Sequence, residues 1–438
     1  MQMNGFVLIL DLYSVKCNLM PQKQYINADT SRKVVIMKST SERNTYFQKL
    51  YPTVNNDDLL EFRIPPNQKS NMCLSNVLLR FIIRLPQPSE ANVELLPENY
   101  LGAKQFSSLE VRINGEAVTR RNCANEYLHS VNFQYLTNFD TEYVTTSCGT
   151  LGIFDDAGWN TADLTDPKHG ATKKSQLVES RSGVNDDFVY EIVMPLDSCV
   201  FTSNQRLPTK TPIELSFERC KSSLSTLLTG ETRTTIRNVL ELEDAFLLVP
   251  YTTDLEMEEM EKTISTTSVK VKYDDYSINR FNISKDSPNV RIANALTGTL
   301  PRKIFFGLMP LEHFTGDFKE NSTAFKRHGV KKATLYVDGN VLSGYPMSVS
   351  DNTLTIPYIR FQENINRFMN CYSSRSISQK DFSDFCFLFS AEMDASTSGS
   401  ITFEFDFDET PVDDLVLVTC SIHDRTIEFD SFRNFQLI

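Results

Sequence analysis

What this 438-residue chain lacks narrows its possible roles before any motif is read. Its five histidines, His129, His169, His313, His328 and His423, form neither HExxH nor a pair at i and i+4, so the helix that holds zinc in many hydrolases is absent. GxSxG, GxGxxG and GxxxxGK[ST] are missing as well. That removes the usual nucleophile elbow and the glycine loops that cradle phosphates. The nine cysteines, at 17, 73, 123, 148, 199, 220, 371, 386 and 420, include no CxxC pair and no regular spacing. An odd, scattered set is expected of reduced thiols in a cytoplasmic or nuclear protein rather than of a disulfide framework. The sequons Asn282-Ile-Ser and Asn321-Ser-Thr pull the other way.

Long apolar runs are also missing. The segment 6–12 (FVLILDL) is the one stretch that could be mistaken for a targeting signal, but no basic residue precedes it, Asp11 interrupts it, and it is too short to cross a bilayer. Neither a signal nor a transmembrane segment is expected. Basic excess is absent: 56 acidic residues against 44 basic ones leave a net charge of −12, which repels a phosphate backbone and argues against nucleic-acid binding. Arg120-Arg121, Lys173-Lys174 and Lys331-Lys332 read as solvated faces. Mean hydropathy of −0.28 is that of a globular protein.

What is present is strand. Thirty Phe and 16 Tyr against one Trp favour pleated surfaces on which aromatic rings pack. Two alternating runs, SLEVRINGEAV (108–118) and ATLYVDGNVL (333–342), are each broken by a dipeptide that accepts positive φ, Asn114-Gly115 and Asp338-Gly339. Each therefore predicts a β-hairpin with a type I′ turn. Further strands are expected at 59–64, 74–85, 188–196, 211–220 and 242–251, then at 268–278, 302–311, 385–393, 400–409, 413–422 and 426–432. Lys33-Val-Val-Ile-Met reads as an edge strand, and TDLEMEEMEK (253–262), with Thr253 or Asp254 as N-cap, reads as a linker helix.

The second series echoes the first, with the offset falling from 224 residues at the hairpins as the chain proceeds. Extra loop in the first half explains the fall, and Asn122–Ser182, helical at its start and then polar, is where it is expected. Strands in this number without βαβ alternation predict an all-β chain of two tandem eight-stranded antiparallel jelly-roll β-sandwiches, with a short linker helix and long loops. The expected divisions are an arm at 1–58, a first jelly roll at 59–251, a linker at 252–265 and a second jelly roll at 266–438. Glu404, Asp406 and Asp408 alternate with phenylalanines, as the wet face of a half-buried strand does, rather than forming an acid–base pair for sugar hydrolysis. The acidic loops at 155–158 (DDAG) and 166–170 (DPKHG) read as turns, without the ligand spacing of a calcium loop.

Three blocks in order, FSSLEVRINGEAVT (106–119), LPRKIFFGLMPLEHFTGDFKENSTAFKRHGVKKATLYVDGN (300–340) and IEFDSFRN (427–434), resemble the major capsid protein of Polinton (Maverick) elements and adintoviruses. The resemblance runs with gaps from residue 59 to the end. It implies a double jelly roll of the adenovirus-hexon lineage and a homotrimeric, pseudo-hexameric capsomer of an icosahedral virion, assembled in the host nucleus or cytoplasm. Partners would be further copies of the chain and a penton or minor capsid protein. No enzyme activity, cofactor or metal is expected. Capsomers need large mutual interfaces, and loops reach neighbours more readily than strands already paired in sheets. Phe133, Tyr135, Phe139, Tyr143, Phe154 and Trp159 in the long excursion are accordingly the expected trimer anchors. The competing expectation is a secreted carbohydrate-binding or carbohydrate-hydrolysing jelly-roll protein, with glycans on Asn282 and Asn321.

Overall fold

The computed structural model describes residues 44–67, 69–86, 95–98, 100–119, 121–137, 187–196, 198–228, 237–253, 255–319, 321–350, 353–365, 379–395 and 397–437. The runs at 6–12 and 33–37 and the acidic loops at 155–158 and 166–170 lie outside them. In LLEFRI, Leu60, Phe62 and Ile64 are buried and Arg63 is exposed, the two-residue period of a strand with one dry face. A first set of eight strands includes this one: β1 (Asn44–Leu50), β2 (Leu59–Ile64), β3 (Leu78–Leu85), β4 (Phe106–Ile113), β5 (Glu116–Ala117), β6 (Phe188–Pro195), β7 (Ile213–Arg219) and β8 (Glu241–Thr253). All pair antiparallel, in the orders β1-β8-β3-β6 and β2-β7-β4-β5.

A second set follows: β9 (Val269–Ile283), β10 (Asn289–Thr299), β11 (Lys303–Pro310), β12 (Val330–Val337), β13 (Asn340–Val341), β14 (Phe389–Glu392), β15 (Ser398–Phe407) and β16 (Leu415–Phe429). Its sheets run β9-β16-β11-β14 and β10-β15-β12-β13, so every strand pairs as the strand eight places earlier does. Each half is an eight-stranded antiparallel jelly roll. Both hairpin turns have positive φ at both central residues, 52° and 84° at Asn114 and Gly115, and 50° and 78° at Asp338 and Gly339. That twist matches the strands they join.

The structure differs from the sequence expectation in several places. Among the described residues pairing begins at Asn44, ahead of the expected Leu59: β1 runs against β8 from Asn44 opposite Thr253 to Leu50 opposite Leu247. Within NTYFQKL, Thr45, Tyr46, Phe47 and Lys49 are exposed, which hides an edge strand whose partner lies some two hundred residues away. The expected strands at 413–422 and 426–432 are one continuous strand, β16. The polar step between them is absorbed by neighbours, with Asp424 on Arg302 at 3.2 Å and Arg425 on Asp275 at 3.4 Å. β10, also an edge strand, was not anticipated, nor were helices at Thr355–Asn364 and Gln379–Phe385. The surplus of the first half is divided among three connections, 118–187 against 342–388, 196–212 against 393–397, and 220–240 against 408–414.

Candidate functional site: a buried seam between the jelly rolls

Helix α1 (Glu126–Thr137) belongs by sequence to the first jelly roll, in the connection between β5 and β6, yet it is shared. Tyr127 and Val131, one turn apart, enter the first core, while Phe133 and Leu136 enter the second. A helix covered on so many sides must satisfy its polar groups locally. Asn132 Nδ2 donates to the Thr323 carbonyl (3.2 Å), and just before the helix Asn125 Nδ2 donates to that of Phe314 (3.1 Å). The His129 ring stacks on Phe314 at 4.7 Å and 7°. Neither of its nitrogens has a hydrogen-bond partner, and burial, with a smaller push from the Lys104 charge, takes its pKa down to about 3.

Glu126 accepts from the backbone N–H of Asn122 (2.8 Å) and, across the seam, from that of Ile278 (3.5 Å). Burial outweighs these bonds and pushes its carboxyl up to about 7. It borders a crevice of about 120 Å³ with Ser130, Ser198, Asp275, Ser277 and Arg425. Deeper in, Glu98 and Lys104 of the first jelly roll are both fully buried and paired with each other. Lys104 Nζ also donates to Asn321 Oδ1 of the second at 3.3 Å. Further along, Ser203 Oγ donates to the Lys272 carbonyl (2.6 Å) and Thr202 Oγ1 to that of Asp274 (2.9 Å). Arg433, in the last turn of the chain, donates to the Thr209 carbonyl (2.7 Å) and pairs with Glu261 of the linker helix α2 (Leu255–Thr266), while Asn114 Nδ2 donates to the Arg433 carbonyl (2.6 Å). The arrangement fixes two sandwiches in one relative orientation.

Of the anticipated trimer anchors, Phe133 is fully buried, with its ring 5.2 Å from that of Phe325. This corrects its expected availability to a neighbouring copy, because the ring already fills the second core. The Tyr135 side chain and Phe139, Tyr143, Phe154 and Trp159 lie outside the described residues. Glu404, Asp406 and Asp408 meet Arg291, Lys332 and Arg327 at 3.6, 3.5 and 2.8 Å, the pattern of ion pairs between neighbouring strands and loops. Asn282 is exposed, but Asn321 is 2% exposed, which leaves no room for a glycan. Among the described residues no group of three or more His, Cys, Asp or Glu is placed to hold a metal ion, and no helix is long and apolar enough to cross a membrane. Nothing in the sequence marks Glu98 or Lys104, beyond the placing of a lysine inside the otherwise weakly polar YLGAKQF (100–106), and Asn321 stands out there only as a sequon.

No family model matches the chain. An uncharacterized protein of Caenorhabditis elegans is 28% identical over 158 residues, 32% of this chain, and the match spans 38% of that relative's length. Among solved structures, a chain of the Sputnik virophage superposes with a TM-score of 0.57 at 9% identity, covering 96% of this chain and 92% of that one. The mavirus major capsid protein gives 0.52 at 10% identity, with 96% and 97% covered. A chain of the PBCV-1 capsid gives 0.50 at 8%, with 92% and 98% covered. These likenesses define the class: the chain is a double jelly roll, a fold carried by viral major capsid proteins.

Proposed function

We propose that this chain is a structural major capsid protein, assembling as a homotrimeric, pseudo-hexameric capsomer of an icosahedral shell. The observation that carries this reading is the pair of sandwiches with one strand order, held by a buried seam. Three copies around a closed threefold axis present six similar towers, an outline suited to near-sixfold tiling. The acidic balance suits a shell that does not grip the genome.

On the resemblance of residues 106–119, 300–340 and 427–434, the lineage is that of Polinton elements and adintoviruses, with a penton or minor capsid protein as the further partner. Assembly in the nucleus or cytoplasm accords with the free thiols of Cys123, Cys199, Cys220 and Cys420. Tyr135, Phe139, Tyr143, Phe154 and Trp159 are the proposed contacts between copies. Light scattering of the purified chain tests the assembly: the expected mass is threefold that of the 50.0 kDa chain, with hexagonal outlines in electron micrographs. A compact monomer at micromolar concentration would overturn the capsomer reading.

A further inference from the structure

Glu98, Lys104 and Asn321 hold more chemistry than a buried ion pair requires. Lys104 sits in a short helical turn before β4 and Glu98 six residues earlier, both at 0% exposure. Asn321, 217 positions beyond Lys104, comes from the second jelly roll and is 2% exposed. We propose that Lys104 and Asn321 join in an intramolecular isopeptide bond that ties one jelly roll to the other, with Glu98 moving the protons.

Each participant is in place. Lys104 Nζ touches Glu98 Oε2 and lies 3.3 Å from Asn321 Oδ1, one carbonyl bond of about 1.2 Å from the carbon it attacks. In a dry site the separated charges of an ammonium and a carboxylate lose hydration, so passing one proton from Lys104 to Glu98 leaves a neutral amine with a free lone pair. Burial accordingly lowers the Lys104 pKa, against the opposing pull of Glu98. The other titratable neighbours, His129 and Cys220, are held neutral by burial and add no competing charge.

The electrophile is equally prepared. Asn321 Oδ1 accepts from the Thr323 N–H at 2.9 Å and the Thr323 hydroxyl at 2.7 Å, donors that polarise the carbonyl and hold the oxyanion formed on attack. Asn321 Nδ2 is buried and has no hydrogen-bond partner. An amide nitrogen left so is costly in a purely structural role, but it is the leaving group in this reaction. Glu98 Oε2 is itself steadied by the Ser322 hydroxyl at 3.1 Å.

The step balances without an oxidant or co-reactant. Nζ bonds to Cγ, Glu98 gives its proton to Nδ2, the Cγ–Nδ2 bond breaks, and the new amide nitrogen returns a proton to Glu98. An ammonium, a carboxylate and a primary amide become a secondary amide, ammonia and a carboxylic acid, with no change in total charge.

Mass spectrometry of the folded, full-length chain tests this. The intact mass, read under denaturing conditions, is expected about 17 Da below the sequence mass, the loss of one ammonia. Proteolysis should yield a branched peptide joining the Lys104 segment to the Asn321 segment. Glu98→Gln and Lys104→Met should return the sequence mass and linear peptides. A succinimide at Asn114-Gly115 also sheds ammonia, so the branched peptide decides. Folded wild-type protein that gives only linear peptides at both positions would overturn the bond and leave an ordinary buried pair.

Discussion

His129 makes the stability of the seam depend on pH. Its ordinary pKa of 6.5 falls to about 3 in the fold, so between these values the unfolded chain binds a proton that the folded chain refuses. The contribution is complete above pH 6.5 and is lost as pH falls toward 3, a change on the order of 5 kcal/mol. Glu126 acts in the opposite sense. Its pKa rises from 4.5 to about 7, so its ionisation weakens the fold as pH climbs through that window. Replacing His129 with Phe keeps a ring against Phe314 and isolates the imidazole. Urea midpoints of His129→Phe should fall less than those of the wild type between pH 6.5 and pH 5, and equal slopes would remove His129 from the acid response. Such a residue is invisible in sequence, where it is one more position in a helix. Asn114-Gly115 and Asp338-Gly339 are legible, because positive φ is a local demand that few residue pairs meet.

Among the elements, α1 departs most from its place in the chain. It follows the first hairpin but lends Phe133 and Leu136 to the second core, with Phe133 against Phe325. Truncation of Phe133 to Ala should cost about 3–5 kcal/mol. It should raise hydrogen exchange around Phe325 and Phe387, where the Phe387 N–H donates to the Phe325 carbonyl at 3.0 Å. Exchange raised only within residues 59–219 would show that α1 serves its own jelly roll alone. The inner strands were readable because alternation records which face is dry, as in Phe403, Phe405 and Phe407 against Glu404 and Asp406. β1 and β10 were not, because an edge strand exposes much of its length and carries a weaker pattern.

At the scale of the whole molecule, the seam makes two sandwiches behave as one. Separating them would expose Phe133 and leave Glu98 and Lys104 in contact with solvent on one side only, and the first core would lose Ile427 and Phe429 of β16. Unfolding should therefore be a single calorimetric transition, with calorimetric and van't Hoff enthalpies in agreement. Two resolved transitions, one for each jelly roll, would refute the coupling.

The sequence by itself determined the inner strands, the two hairpins, the linker helix and the repeat, because each is written in residues close together: a period of two, a turn that needs positive φ, an acidic helical run. It also carried the resemblance to capsid proteins, in the order of three blocks. Only the tertiary structure decided where the halves meet. Glu98, Lys104, His129 and Asn321 acquire their meaning from burial and from one another, across 217 positions in the case of Lys104 and Asn321. No local pattern encodes that meeting, since a lysine, an asparagine and a glutamate become reactive or costly only when folding removes the water around them.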